Sequence, residues 1–173
     1  MPLNRRSVLK LGAAGLAAAT AGLAARPRDT GGAAPVRADR PLDLLILGGT
    51  GLTGPHQVRY ALARGHRVTI FNRGRKQPEW PGDVEQLLGD RDRNDYASLR
   101  AEVAAGRRWD VCIDNPSSVP IWVREAAQAL DGAAGDYTMV SSLSAYSDDA
   151  TLGQDEDGPL AWFDGDPLKE TMA

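Results

Sequence analysis

Cysteine is nearly absent, with Cys112 alone among 173 residues. An internal disulfide framework, a cysteine-rich zinc site and a CxxC redox motif are all excluded. Histidine is almost as scarce, at two residues, which leaves little room for a His-built metal centre. A basic excess is missing as well. The formal charge is −3, and it is unevenly spread. Residues 1–38 hold six basic residues and one acid, so residues 39–173 hold 14 basic against 22 acidic residues, a balance of −8. No nucleic-acid partner is expected of such a body. The last stretch, 147–173, carries eight of those acids and a single cation, Lys169.

The N-terminus is organised differently. Asn4-Arg5-Arg6-Ser7-Val8-Leu9-Lys10 precedes fifteen uncharged residues, Leu11 to Ala25, mostly Ala and Gly with three Leu. That run is weakly hydrophobic and shorter than the ~20 residues a spanning helix needs. The pattern resembles a twin-arginine export signal, which implies the twin-arginine export machinery as a partner and a periplasmic or extracellular destination. Cleavage is expected near Ala38, after Val36-Arg37-Ala38, with Ala19-Thr20-Ala21 as a second candidate. An uncleaved signal would instead act as a small membrane anchor. Residues 1–38 thus form signal and connector, 39–146 the folded domain, and 147–173 an acidic tail. The twin-arginine route carries proteins already folded, typically around a cofactor, so a cofactor motif is worth seeking.

Leu42–Leu47 is an apolar run of buried-strand length. Gly48-Gly49-Thr50-Gly51-Leu52-Thr53-Gly54 follows at once, and the spacing predicts a helix from Pro55 to Gly65, with Pro suited to its first turn. Glycines at 48, 51 and 54 allow a tight turn, a close approach to a pyrophosphate, and close packing of helix on sheet. The helix N-terminus adds N–H donors and a positive dipole end. Further strands are expected at Arg67–Asn72, Val84–Leu88, Trp109–Asp114 and Tyr137–Val140. Helices are expected at 95–105, with Leu99, Val103 and Ala104 on one face, and at Ile121–Leu130. This alternation predicts an α/β, Rossmann-type, doubly wound parallel sheet of about five strands. Cys112 reads as a small buried hydrophobe within it.

The end of the second strand separates two dinucleotides. A carboxylate about twenty residues after the glycines would bind the ribose 2′-hydroxyl of NAD. Here Asn72 stands at that point, followed by Arg73, Arg75 and Lys76. Cations suit a 2′-phosphate, so NADP is favoured over NAD, a solvated basic loop being the alternative. Asp90 closes the third strand, at the end where open α/β sheets place ligands.

The glycine turn, Phe71-Asn72-Arg73-Gly74, Gly89-Asp90-Arg91-Asp92 and Val140-Ser141-Ser142-Leu143-Ser144-Ala145-Tyr146 occur in order across residues 42–146. Together they resemble the short-chain dehydrogenase/reductase superfamily, in its extended or atypical NAD-dependent epimerase/dehydratase branch. The resemblance implies a cofactor held by Gly48, Thr50, Gly51, Leu52 and Gly54 at the phosphates, and by Asn72 and Arg73 at the ribose. It further implies that Asp90 contacts the adenine, that Asn115, Pro116 and Ser141 lie along the cofactor, and that Ser142 polarises the substrate. A homodimer is a common state of that family.

The chemistry in that family also needs a Tyr with a Lys four residues later, so that a phenol passes a proton while nicotinamide C4 moves a hydride. Tyr60, Tyr96, Tyr137 and Tyr146 all lack Lys at that spacing. Tyr146 corresponds to a non-catalytic position. Pro167-Leu168-Lys169-Glu170 is similar to the start of the catalytic helix, with Gly165 where the Tyr belongs, so a truncated helix is expected. The acidic segment reads as loop that does not easily cover the last strand, and Trp162 and Phe163 either dock on the sheet or mark a broken reading frame. Four functions stay open: an exported NADP-binding reductase or epimerase acting on a small carbonyl or sugar-like substrate, a non-catalytic dinucleotide module, a disfavoured RNA binder, and an inactive fragment of the enzyme.

Overall fold

The computed structural model describes residues 34–115, 119–148 and 150–162. The expected export signal in residues 1–33, Pro116, Phe163 and Lys169 lie outside them. Five strands form one parallel sheet: β1 (Asp43–Leu47), β2 (Arg67–Asn72), β3 (Val84–Leu88), β4 (Trp109–Asp114) and β5 (Ala134–Met139). Their order across the sheet is β3-β2-β1-β4-β5. Three helices connect them: α1 (Gly54–Ala63), α2 (Ala97–Ala104) and α3 (Pro120–Ala129). None of the described helices is long and apolar enough to cross a membrane.

β1 lies at the centre, paired with β2 on one side and β4 on the other. Its side chains alternate between faces, as a strand requires. Leu45 and Leu47 join Phe71, Tyr96, Leu99, Cys112, Ala126 and Leu130 in one core, which α2 and α3 cover. Leu44 and Ile46 join Val58, Ala61, Val68 and Ile70 in a second core beneath α1. Burying each such aliphatic side chain stabilises the fold by about 2 kcal/mol. Phe71 stacks on Tyr96, with ring centroids 5.5 Å apart and planes within 5°. Gly89 sits against that stack, where an added Cβ would run into the Phe71 ring. Cys112 is fully buried, as expected, and burial pushes its thiol well above the ordinary range.

Thr69, Asp114 and Asn115 are the buried polar residues among those described, and Thr69 lies mid-strand within the core. Thr69 is buried, its hydroxyl donating to Glu85 Oε2 (2.7 Å) and accepting from Trp109 Nε1 (3.3 Å). Every buried polar atom of that hydroxyl is thereby satisfied. The network ties β2 to β3 and β4.

Two expectations need correction, and one open alternative is decided. β5 begins at Ala134 rather than Tyr137 and ends at Met139. Its polar Gly135-Asp136 start is drawn into the sheet by pairing with β4, from Trp109↔Ala134 to Asp114↔Met139, so tertiary pairing overrides weak local propensity. On α2, Leu99 is buried and Val103 packs on the core, whereas Ala104 is exposed. Trp162 does not dock on the sheet; it is 89% exposed. Residues 150–162 contain neither helix nor regular strand, in line with the expected loop, and one bridge from Tyr146 to Leu160 holds them.

His66 extends the β1–β2 pairing at its start, its Nδ1 accepting from the Leu42 amide at 3.1 Å. Burial, and then the charge of Arg64, lower its pKa below the ordinary value of 6.5. The unfolded chain therefore takes up the proton first on acidification. Stability from this contact is complete above about pH 6.5 and is lost as pH falls through that value toward the folded-state pKa. The melting temperature should drop between about pH 7.5 and pH 5.5, and His66→Gln should flatten that slope in thermal melts followed by circular dichroism.

Candidate functional site

The strand order reverses direction beside β1, whose neighbours β2 and β4 are reached by opposite windings. Open α/β sheets place ligands outside the strand ends at that point. A cleft of about 590 Å³ opens there, within the range of small-molecule sites. Four chain segments wall it: the glycine turn after β1, the loop after β2, the turn after β3, and Asn115 at the end of β4, with Trp122 of α3 at one side.

Packing shapes the glycine turn. Gly48 has φ +79°, and its amide donates to Phe71 O at 2.9 Å. Gly51 N closes the turn on Gly48 O at 3.0 Å. A Cβ on Gly49 would lie 2.6 Å from Ile70 Cγ2, and one on Gly54 would lie 2.5 Å from the Gly49 carbonyl carbon. Two glycines are thus fixed by close contact. Gly51 is different, because a Cβ there would meet only Gly48 O, at 3.4 Å. Thr53 does not cap α1; its hydroxyl donates instead to Asn115 Oδ1 at 2.8 Å. With no acid in the first turn either, the N-terminal end of α1 keeps its positive dipole uncompensated.

After β2, Asn72 Oδ1 accepts from Gly74 N (2.7 Å) and Gln86 Nε2 (2.9 Å). Its Nδ2 is buried with no partner, an unmet donor at the cleft wall. Arg73, Arg75 and Lys76 line the same mouth. Arg73 pairs with Asp92 at 3.0 Å and Arg75 approaches Asp90 at 4.0 Å. Asp90 Oδ1 also accepts from the Asp92 amide, which fixes the turn after β3.

Of the residues singled out in the sequence, Gly48, Thr50, Gly51, Leu52, Asn72, Arg73, Asp90 and Asn115 line this one cleft. Gly54 stands just behind it as the buried start of α1. Ser141 and Ser142 are exposed beyond β5 and are not among the lining residues. Ser142 Oγ accepts from the amide and hydroxyl of Ser144.

A buried cluster lies beside the cleft, and none of its residues is among the candidate site residues read from the sequence. Asp114 is fully buried and takes a bidentate ion pair from Arg91, at 2.5 and 2.9 Å. It also accepts from the Tyr137 hydroxyl at 2.6 Å. Burial disfavours the Arg91 charge, but Asp114 outweighs it and keeps the guanidinium firmly protonated. Burial, then the hydrogen bond and charge of Asp114, push the Tyr137 phenol far above its ordinary value. Arg91 also lies 5.5 Å over the Trp122 ring. Nothing local in the sequence marks this cluster, because a carboxylate at a strand end is as often exposed as buried, and its partners come from other elements.

No protein-family model matches this sequence, and no curated protein matches it. Solved structures do match the fold. An assigned NAD-dependent epimerase/dehydratase from Methylobacillus flagellatus is 27% identical, with a TM-score of 0.52 over 70% of this chain and 44% of that one. WbmG of Bordetella bronchiseptica, solved with NAD and UDP, is 17% identical, with a TM-score of 0.53 over 72% and 45%. UDP-N-acetylglucosamine 4-epimerase from Bacillus cereus is 21% identical, with a TM-score of 0.52 over 69% and 42%. The chain spans less than half the length of each of these structures. The Rossmann-like sheet read from the sequence is the fold they share.

The glycine contacts set a contrast. Gly54→Ala should destabilise the protein by about 2 kcal/mol or more, because backbone rather than a flexible side chain must move. Gly51→Ala should stay within about 1 kcal/mol of the parent. Urea denaturation of both variants checks this.

Proposed function

We propose that the cleft binds a nicotinamide dinucleotide, NADP in preference to NAD, in a protein related to the NAD-dependent epimerases and dehydratases. The observation that carries this reading is one cleft that gathers an uncapped helix N-terminus, an unmet Asn72 donor and three cations. The glycine turn and the α1 N-terminus suit the pyrophosphate. Asn72 Nδ2 suits a ribose oxygen, and the Asp90 carboxylate suits the adenine amino group. Arg73, Arg75 and Lys76 suit a 2′-phosphate, where an NAD site would carry an acid. When bound, the nicotinamide would supply hydride exchange at its C4. A small carbonyl or sugar-like substrate fits that chemistry, and Ser142, which stands outside the cleft lining, would have to reach it as the polarising hydroxyl. Export in the folded state, cofactor included, is part of the same proposal, supported by the paired arginines and the uncharged run behind them.

A second reading, a non-catalytic dinucleotide-binding module, draws on a specific observation. The Tyr96 hydroxyl donates to Trp122 O at 3.0 Å and that of Tyr137 to Asp114. Both phenols are committed to the core, and burial raises the pKa of each, the reverse of what proton transfer near neutral pH needs.

Thermal melting with added cofactor tests the first reading. A ligand at a hundred times its Kd adds about 2.7 kcal/mol, a rise of several degrees for a domain of this size. NADP at millimolar concentration should give that rise. Gly51→Val should abolish it, and Arg73→Glu should remove it for NADP more than for NAD. A cooperative melt unmoved by either dinucleotide would sink the proposal. Hydride transfer from NADPH to a carbonyl panel, lost in Ser142→Ala, would exclude the non-catalytic reading.

A further inference from the structure

We propose that Asp114 and Asn115, consecutive residues at the end of β4, are positioning residues that clasp the two rims of the cleft at a fixed separation. The inference rests on the cleft being a dinucleotide site, and it concerns how that site is held in shape. Asp114 reaches the turn after β3: both its oxygens accept from Arg91, the neighbour of Asp90, and Tyr137 occupies Oδ2 as well. Asn115 reaches the glycine turn on the other rim. Its Oδ1 accepts from Thr53, and its Nδ2 donates to Leu47 O at 3.0 Å. Its own amide donates to the same carbonyl at 3.3 Å.

Asp114 is enclosed by Arg91 and Tyr137, and Asn115 spends its Oδ1 on Thr53 and one Nδ2 hydrogen on Leu47 O, which leaves only its second Nδ2 hydrogen uncommitted. Asn115 was expected along the cofactor, yet its amide is committed to the loop that would hold the phosphates. The two residues therefore act through others, Asp114 through Arg91 on the Asp90 turn and Asn115 through Thr53 at the start of α1. A buried ion pair is a poor stabiliser compared with apolar packing of equal size. What it supplies here is geometry, because the planar fork of Arg91 fits a carboxylate in one orientation and joins segments 23 residues apart.

Calorimetric titration of the full chain with NADP and NAD, combined with amide hydrogen exchange, tests the clasp. Asp114→Asn should weaken binding about tenfold and speed exchange in residues 89–95 while leaving 48–54 unchanged. Asn115→Ala should weaken binding similarly with the reverse exchange pattern. Arg91→Lys should behave as Asp114→Asn does, since an ammonium cannot form the fork. The double variant Arg91→Gln/Asp114→Asn leaves no unpaired charge and guards against misfolding; it too should bind weakly. Unchanged affinity in these variants, or exchange raised uniformly over the sheet, would overturn the clasp and leave the dinucleotide reading standing. If the parent protein binds neither NADP nor NAD, the dinucleotide reading itself falls, and the clasp falls with it.

Discussion

The burial of β1 from Leu44 to Leu47 is the constraint on which the rest of the structure depends. A strand flanked by parallel partners and apolar on both faces must be covered on both, and here α1 lies over one face and α2 with α3 over the other. That arrangement forces the chain to leave β1 in a tight turn and to return over the sheet. The turn is then moulded by the core beneath it. Ile70 leaves no room for a side chain at Gly49, and Gly49 in turn leaves none at Gly54. The glycines that read as a phosphate motif are thus, in two cases, packing requirements first. At Gly48 and Gly51 an added Cβ would meet a single atom each, at 3.5 and 3.4 Å, and at Gly48 it is the φ of +79° that calls for glycine.

Local pattern made much of this legible. β2, β3 and β4 have the limits read from the sequence: β2 and β4 are rich in branched or aromatic side chains, whereas β3, polar at Glu85 and Gln86, pairs with β2 along its whole length. β5 escaped because Ala134-Gly135-Asp136 has no strand character of its own, and β4 supplies the missing incentive by pairing. The cleft residues were legible for the same local reason, since each follows directly on a strand end. Asp114 with Arg91 and Tyr137 was not, because the contact joins three elements and has no periodic signature. Ser141 and Ser142 illustrate the opposite case. They were legible as a motif after the fifth strand, and the structure keeps them apart from the cleft lining.

The electrostatics of the cleft divide along the same line between buried and exposed. The body carries −8, yet the loop after β2 presents three cations to the mouth, and nearby acids already hold two of them. Those pairs differ in kind from Arg91–Asp114. Arg73 and Asp92 are each about half exposed (46% and 51%), whereas Arg91 and Asp114 are 13% and 0% exposed. An exposed pair is worth about 0–1 kcal/mol, so Asp92 can yield Arg73 to an incoming phosphate at little cost. Breaking a buried pair costs about 3–5 kcal/mol, so Arg91 cannot change partners and contributes no free charge to ligand binding. Under the proposed function, discrimination between a 2′-hydroxyl and a 2′-phosphate therefore falls on Arg73, Arg75 and Lys76. On the same proposal Asn72 would serve either dinucleotide, because its unmet donor needs only a ribose oxygen. On that proposal the loop after β2 would change its cofactor while the Asp114–Arg91 pair behind it stays closed, since the two share no charged group.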